Sequence, residues 1–193
     1  MTKTMPPPSR TEAFFQALSY SDATLALARY WYDLPRLGDD LCPRRAQFLL
    51  TAIAPHLDEV YLSKWREPGQ LIVLACGSKL VDVLGEDITG KDIFTLSHLQ
   101  SVPEQVSYYQ QLRTLPCAGV LTRWGANMSE RPFVYRTVQL PLLDENGTVN
   151  FFIGTGVIRS AKKVSDHLSS DENVSVEHQE QLYLDIGAGV PDS

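Results

Sequence analysis

The sequence predicts an α+β domain: a five-stranded antiparallel sheet with helices on one face, preceded by N-terminal helices. Two observations carry this. Strand-like runs fall into two groups, near 59–65 and 71–76, then near 117–125, 133–143 and 149–159. Turn sequences join neighbours within the groups: Glu67-Pro68-Gly69-Gln70 in the first, Asp144-Glu145-Asn146-Gly147 in the second. Runs joined this way pair as hairpins, and the helical patterns between the groups must then cover the sheet.

Taken in order, the chain opens with an extended leader at Pro6-Pro7-Pro8. Ser9 and Glu12 form an S-x-x-E capping box, which predicts a short helix over 10–18. A second helix starts near Asp22, with Leu27, Tyr30, Trp31 and Leu34 at helical spacing on one apolar face. That face is either packed on its own domain or is a dimer contact; the expectation retained here is the dimer. Pro35, Gly38 and Pro43 then interrupt the chain, and Phe48, Leu49, Ala52 and Ile53 suggest a helical turn over 46–54.

The strand pair that follows alternates Val60 and Leu62 with polar neighbours, then continues as Leu71-Ile72-Val73-Leu74-Ala75-Cys76. Gly77-Ser78 turns the chain into a helical pattern with Leu80, Val81 and Leu84 on one side, broken at Gly85 and Gly90. Ser101 and Glu104 give a second capping box, opening a helix with Val106, Tyr109 and Leu112 as its inner stripe and Arg113 in its last turn. Three strands close the domain, with an irregularity expected at Pro141 and a tight turn at Asn146-Gly147. Beyond residue 160 the chain is acidic and polar, which predicts a disordered tail over 161–193; Leu182, Tyr183 and Ile186 in it could make one docking helical turn. The division is therefore a leader with a short helix (1–20), the domain (21–160) and the tail.

Charge narrows the function classes. The net charge is −6 over 193 residues, and the two lysines and seven acids after residue 160 leave residues 1–160 at only −1. A near-neutral core offers no surplus of Lys and Arg to neutralise a phosphate backbone, so no nucleic-acid partner is expected. No apolar run is long enough to span a membrane, and the N-terminus lacks a signal-peptide core, so the expectation is a cytoplasmic protein with no membrane partner. Cys42, Cys76 and Cys117 are odd in number and form no C-x-x-C pair, and the four histidines are scattered, so neither a disulfide framework nor a metal site is expected.

Chemical motifs are few. Gly85 to Asp92, GEDITGKD, approaches the phosphate loop G-x-x-x-x-G-K-[ST], but Asp92 stands where the Mg²⁺-binding hydroxyl is needed, and Glu86 and Asp87 put negative charge in the cradle. It reads as a structural turn. No G-x-S-x-G elbow and no carboxylate couple stands out, so no catalytic residue is assigned and the chain is read as a non-enzyme.

The ordered set of features resembles the PAS superfamily, and more narrowly a group of PAS domains common in alphaproteobacteria. Its Tyr-Trp helix is Tyr30-Trp31, and its Pro-Arg-Arg loop is Pro43-Arg44-Arg45. Ala54-Pro55-His56-Leu57 resembles the segment before the group's first strand. Cys76-Gly77-Ser78-Lys79-Leu80 and Gly85 to Gly90 resemble its strand-glycine-helix stretch, and Leu140-Pro141-Leu142 its closing strands. The resemblance covers about residues 24–158. The chain departs from the group in the strand before Gly77, where an aromatic and an arginine are common and here only Leu71 to Ala75 stand, which implies an apolar pocket wall.

The resemblance implies a stand-alone sensory or regulatory domain that binds a small molecule or a signalling partner and responds by conformational change or association. A ligand between the sheet and the helices of 78–113 is expected to meet Leu74, Cys76, Leu80, Leu84, Tyr109 and Trp124. The alternative is a ligand-free homodimerisation module. The cofactor is left unknown: the flavin-binding Asn-Cys-Arg-Phe motif is absent, and the helix over 101–113 carries no histidine for haem.

Overall fold

The computed structural model describes residues 9–96, 102–126, 132–160 and 175–191. The triple-proline leader, His98, the Ser101 cap and residues 161–174 lie outside them.

Local chemistry sets the N-terminal helices. Ser9 Oγ accepts from the Glu12 amide while the Glu12 carboxylate accepts from the Ser9 amide, closing the expected capping box on α1 (Arg10–Ala17). Ser21 caps α2 (Asp22–Asp33) by accepting from the Thr24 amide at 3.1 Å. Leu34 is already extended, as the residue before Pro35 must be. The helical turn expected over 46–54 is instead two 3₁₀ segments, Arg45–Gln47 and Leu50–Glu59. Pro55 lies within the second, and its missing N–H removes the bond that an α-helix would need there.

β1 (Val60–Arg66), β2 (Gln70–Cys76), β3 (Ala118–Ala126), β4 (Pro132–Leu143) and β5 (Val149–Ser160) match the five expected strands to within one residue. The sheet has a sixth strand, β6 (Ser175–Leu184), and runs antiparallel in the order β2-β1-β5-β4-β3-β6. This stretch corrects the expectation of a disordered tail. Without β6 the strand β3 would be an edge with unpaired backbone groups; β6 pairs with it from Ala118↔Leu184 to Ala126↔Ser175. Leu182, Tyr183 and Leu184 thus follow strand rather than helical geometry, with Leu184 buried and Leu182 exposed.

The β4–β5 connection is one residue longer than the two-residue turn expected. Asp144 N–H donates to Thr148 O at 2.8 Å and Gly147 N–H to Asp144 O at 3.2 Å, leaving Glu145-Asn146-Gly147 as the loop. Gly147 takes the left-handed position, φ +78°, where a side chain is strained. Asp144 Oδ1 accepts the Asn146 and Thr148 amides inside this loop. Pro141 lies beyond the end of the β3 ladder, which stops at Gly119↔Gln139, so its missing N–H breaks no β3–β4 bond.

Alternation in β5 assigns the two faces. Phe152 packs edge-on against Tyr109 of α4 (Val102–Thr114), at 5.1 Å between ring centroids. Thr155, of opposite parity, meets Thr24 of α2 hydroxyl to hydroxyl at 2.7 Å. Helices α3 (Ser78–Leu84) and α4 therefore cover one face, and the N-terminal helices cover the other. Trp31 Nε1 donates to Pro141 O at 2.8 Å from within that second layer.

The stripe on α2 is consequently core. Leu27 is 1 % and Trp31 0 % exposed within a single chain, which overturns the dimer contact expected of them. Tyr30 and Leu34 are half-buried: the Tyr30 ring packs edge-on to Phe48 at 4.9 Å, and its hydroxyl accepts the Leu49 amide. The physical reason is proximity, since the outer face of the sheet offered apolar surface that α2 could reach without a second copy.

Candidate functional site: a cavity beneath α3

The turn from β2 into α3 requires glycine at 77. A Cβ there would lie 2.4 Å from both the Leu57 and Asp58 carbonyl oxygens, and the Gly77 amide itself donates to Val60 O at 2.9 Å. Gly85, at φ +76°, ends α3 in the left-handed cap. The chain then returns alongside β2: Val73 N–H donates to Lys91 O and Gly90 N–H to Val73 O. Asp92 Oδ1 accepts the Leu71 and Phe94 amides, and Lys91 pairs with Glu86. The GEDITGKD stretch is thus the structural turn its acidic residues suggested.

Between α3, this return segment, α4 and the inner face of the sheet lies an apolar cavity of about 40 Å³. Its walls are Tyr61, Val73 and Cys76 from β1 and β2, and Leu80 and Leu84 from α3. Ile88, Ile93 and Leu96 close it on the return segment, Tyr109 on α4, and Arg123, Tyr135 and Thr137 on β3 and β4.

Four of the six residues expected at a ligand site are brought together here: Cys76, Leu80, Leu84 and Tyr109. Leu74 is not among them. A bulge in β2 opposes Val73 to Ser63 and Ala75 to Leu62, so Leu74 is the extra residue, 38 % exposed. The bulge also lets Val73 and Cys76, of unlike parity, line the same cavity. Trp124 is not there either, because it follows Arg123 in β3 and alternation turns it to the other face.

The polar side chains of the inner face were not anticipated. Gln139, fully buried, donates from Nε2 to the Tyr61 hydroxyl at 3.0 Å and to Thr137 Oγ1 at 2.9 Å, and accepts from Tyr108. Tyr61 in turn donates to Val138 O at 2.6 Å. Burial pushes the Tyr61 phenol well above its ordinary range, and that of Tyr109 up to about 12, so both are neutral donors near neutrality. Burial, followed by the Asp87 charge, raises the Cys76 thiol to about 11, which makes it a wall group rather than a nucleophile.

Arg123 differs from these. It is 6 % exposed, its Nη2 reaches Gln105 Oε1 only at 3.4 Å, and its Nε has no hydrogen-bond partner among the described residues. The sequence carried a signal for it: in Gly119-Val120-Leu121-Thr122-Arg123, alternation sets the arginine on the same face as Leu121, which is buried. The pocket wall expected to be apolar thus acquires a cation, supplied by β3 and not by β2. Among the described residues no group of three or more His, Cys, Asp or Glu could hold a metal ion. No helix among them is long and apolar enough to cross a membrane.

The sheet, its covering helices and the enclosed cavity define an α+β sensory-domain architecture. The PAS domain family profile matches residues 20–157, and the chain belongs to that family. The chain is also similar to a light-oxygen-voltage domain described with a flavin analogue: 15 % identity, 58 % of this chain and 84 % of that one covered, TM-score 0.43. A second solved structure is the light state of the blue-light photoreceptor Aureochrome1 LOV domain. There the identity is 13 %, coverage is 63 % of this chain and 96 % of that one, and the TM-score is 0.41. No curated protein matches the chain.

Proposed function

We propose that this PAS domain is a non-catalytic sensor in which occupancy of the cavity beneath α3 alters the flanking strand β6. The observation that supports this reading is one of connectivity. β3 contributes Arg123 to the cavity wall and pairs along its whole length with β6, the edge strand of the sheet. A ligand that displaces Arg123 shifts β3, and β6 follows through its backbone hydrogen bonds. Only a differential affinity for two arrangements drives such a response, so binding and β6 protection must change together.

Native mass spectrometry of freshly purified protein, followed by hydrogen exchange with and without the retained mass, tests the reading. The expected result is a bound small molecule whose removal speeds exchange in β6. A chain that carries no ligand, and whose β6 exchange is unaffected by a metabolite panel, sinks it.

A second reading, a ligand-free interaction module, draws on the size of the cavity. About 40 Å³ is well below the roughly 300 Å³ at which small-molecule pockets usually start. Association then uses exposed apolar side chains such as Leu37, Leu41 and Leu49, not Leu27 and Trp31. Light scattering of the chain across concentrations separates the two: a ligand-independent dimer favours the module, and a monomer favours the sensor.

A further inference from the structure

We infer that the cavity takes a small organic anion, a short-chain monocarboxylate held by Arg123; this rests on the sensor reading above and specifies its ligand. Arg123 carries a permanent charge and five N–H donors, yet it is 6 % exposed. Among the described residues no carboxylate pairs with it and no aromatic ring lies under it. Among the described residues its one hydrogen bond is the 3.4 Å contact to Gln105.

The other partly buried arginines show what a structural role looks like in this fold. Arg36 donates to the Trp31 carbonyl and stacks on the Trp31 ring. Arg113 bonds to Glu67, Asn150 and the Val149 carbonyl, and stacks on Trp65. Arg136 donates to Thr122 and lies over Tyr20. Each is satisfied by protein groups, whereas Arg123 lines a cavity with its Nε unpartnered. A buried cation in that condition is costly to stability and is retained where something else completes it.

The chemistry of the missing partner follows from the site. Nε and Nη2 share the edge of the guanidinium that binds a carboxylate through two parallel hydrogen bonds, and this edge holds only the long Gln105 contact. The other polar lining groups, Tyr61, Tyr109, Tyr135 and Thr137, are neutral hydroxyls, so the site balances one negative charge and no more. Leu80, Leu84 and Ile88 form an aliphatic wall that suits a short alkyl tail and disfavours phosphate or sulfate. A volume of about 40 Å³, where roughly 10–15 Å³ admits one water, restricts the ligand to the shortest monocarboxylates.

The test titrates the full chain with acetate, propionate and butyrate by calorimetry and thermal melting, with butyramide, butanol and inorganic phosphate as controls. Butyrate or propionate should bind and raise the melting temperature, while butyramide and phosphate should not. Arg123→Met, of similar length and uncharged, should abolish carboxylate binding and melt at or above the wild-type temperature, because an unpaired buried charge is gone. Arg123→Lys keeps the charge without the fork and should weaken binding by about tenfold or more; it also serves if the methionine variant fails to fold. Butyramide or butanol binding as well as butyrate overturns the anion assignment but leaves the sensor reading standing. So does carboxylate binding that survives in both variants. A wild-type chain that binds no carboxylate, or an Arg123→Met variant that folds but melts well below wild type, overturns it too, the latter by showing that the protein already satisfies the arginine. The sensor reading itself fails separately, on a chain that binds none of these probes and retains no mass after purification.

Discussion

Two residues show how the fold depends on single contacts. Gly77 sits where β2 becomes α3, with two backbone carbonyl oxygens 2.4 Å from any Cβ placed there. Backbone oxygens cannot swing aside as a flexible side chain can, so Gly77→Ala should destabilise the chain by about 2 kcal/mol. Because the strain falls on the cavity roof, urea denaturation should show it together with faster labelling of Cys76, the half-buried thiol of the wall. An unchanged midpoint and labelling rate would mean that the turn relaxes freely. Trp31 is the second residue. It is fully buried, its indole lies 6.0 Å from the Phe14 ring, and the Arg36 guanidinium is 4.6 Å from its centroid. Trp31→Ala should cost about 3–5 kcal/mol and leave the oligomeric state of any folded fraction unchanged. A variant that stays fully stable while a dimer dissociates would restore the interface role first expected of α2.

At the scale of elements, β6 is the informative one. Among its described side chains Glu180, Gln181 and Leu182 are exposed, Tyr183 is half-buried and Leu184 is buried. Its hold on the domain is the ladder to β3, with the Tyr183 ring 5.5 Å from Tyr108 and its hydroxyl bonded to Gln111. The Asp185 carboxylate also accepts the Gly187 and Gly189 amides, fixing the chain just beyond the strand. Ending the chain before Ser175 should therefore leave the remaining core folded but expose β3 as an unprotected edge. The expected outcome is a lower melting temperature and scattering that rises with concentration. A truncated chain that melts like the full chain and stays monodisperse would show that β6 is dispensable to the core. Hydrogen exchange should place β6 among the strands that open at low free-energy cost, below β4 and β5.

For the whole molecule, buried phenols and thiols set the response to pH. Burial raises Tyr20 and Tyr109 to about 12 from a reference of 10.0, and lifts Tyr61 and Tyr108 well above the same reference. Burial likewise lifts the Cys42 and Cys117 thiols from 9.0 to about 12. In each case the unfolded chain loses its proton first, so it binds fewer protons than the folded chain over that interval. The stability tied to these groups is whole below about pH 9 and is lost as pH rises toward 12. Melting temperatures should fall steeply across that window, with the tyrosinate absorbance of the buried phenols appearing together with unfolding. On the acid side Asp144 is held below its ordinary 3.8: burial pushes it up, but the Thr148 and Asn146 amides and the Asn150 side chain outweigh that. Its contribution is present above that value and disappears as pH falls through the lowered one.

What the sequence determined by itself was local. Alternation set five strands to within a residue, S-x-x-E set the start of α1, and glycine and asparagine marked the β4–β5 connection, although hydrogen bonding made its loop three residues long. Four of the six residues expected at the site do line the cavity, since periodicity along β2, α3 and α4 fixes which side chains share a face. The tertiary structure decided everything that depends on which surfaces meet. Periodicity shows that α2 has an apolar face but not what covers it, and here the outer face of the sheet does. It cannot foresee the bulge that turns Leu74 outward, because bulging depends on the partner strand. Nor does polarity identify β6, whose order comes from hydrogen bonds offered by β3, a strand more than 40 residues earlier in the chain. Arg123 belongs with these: its place in β3 was readable, but only the packing of α3 and α4 over the sheet leaves its charge enclosed beside a cavity.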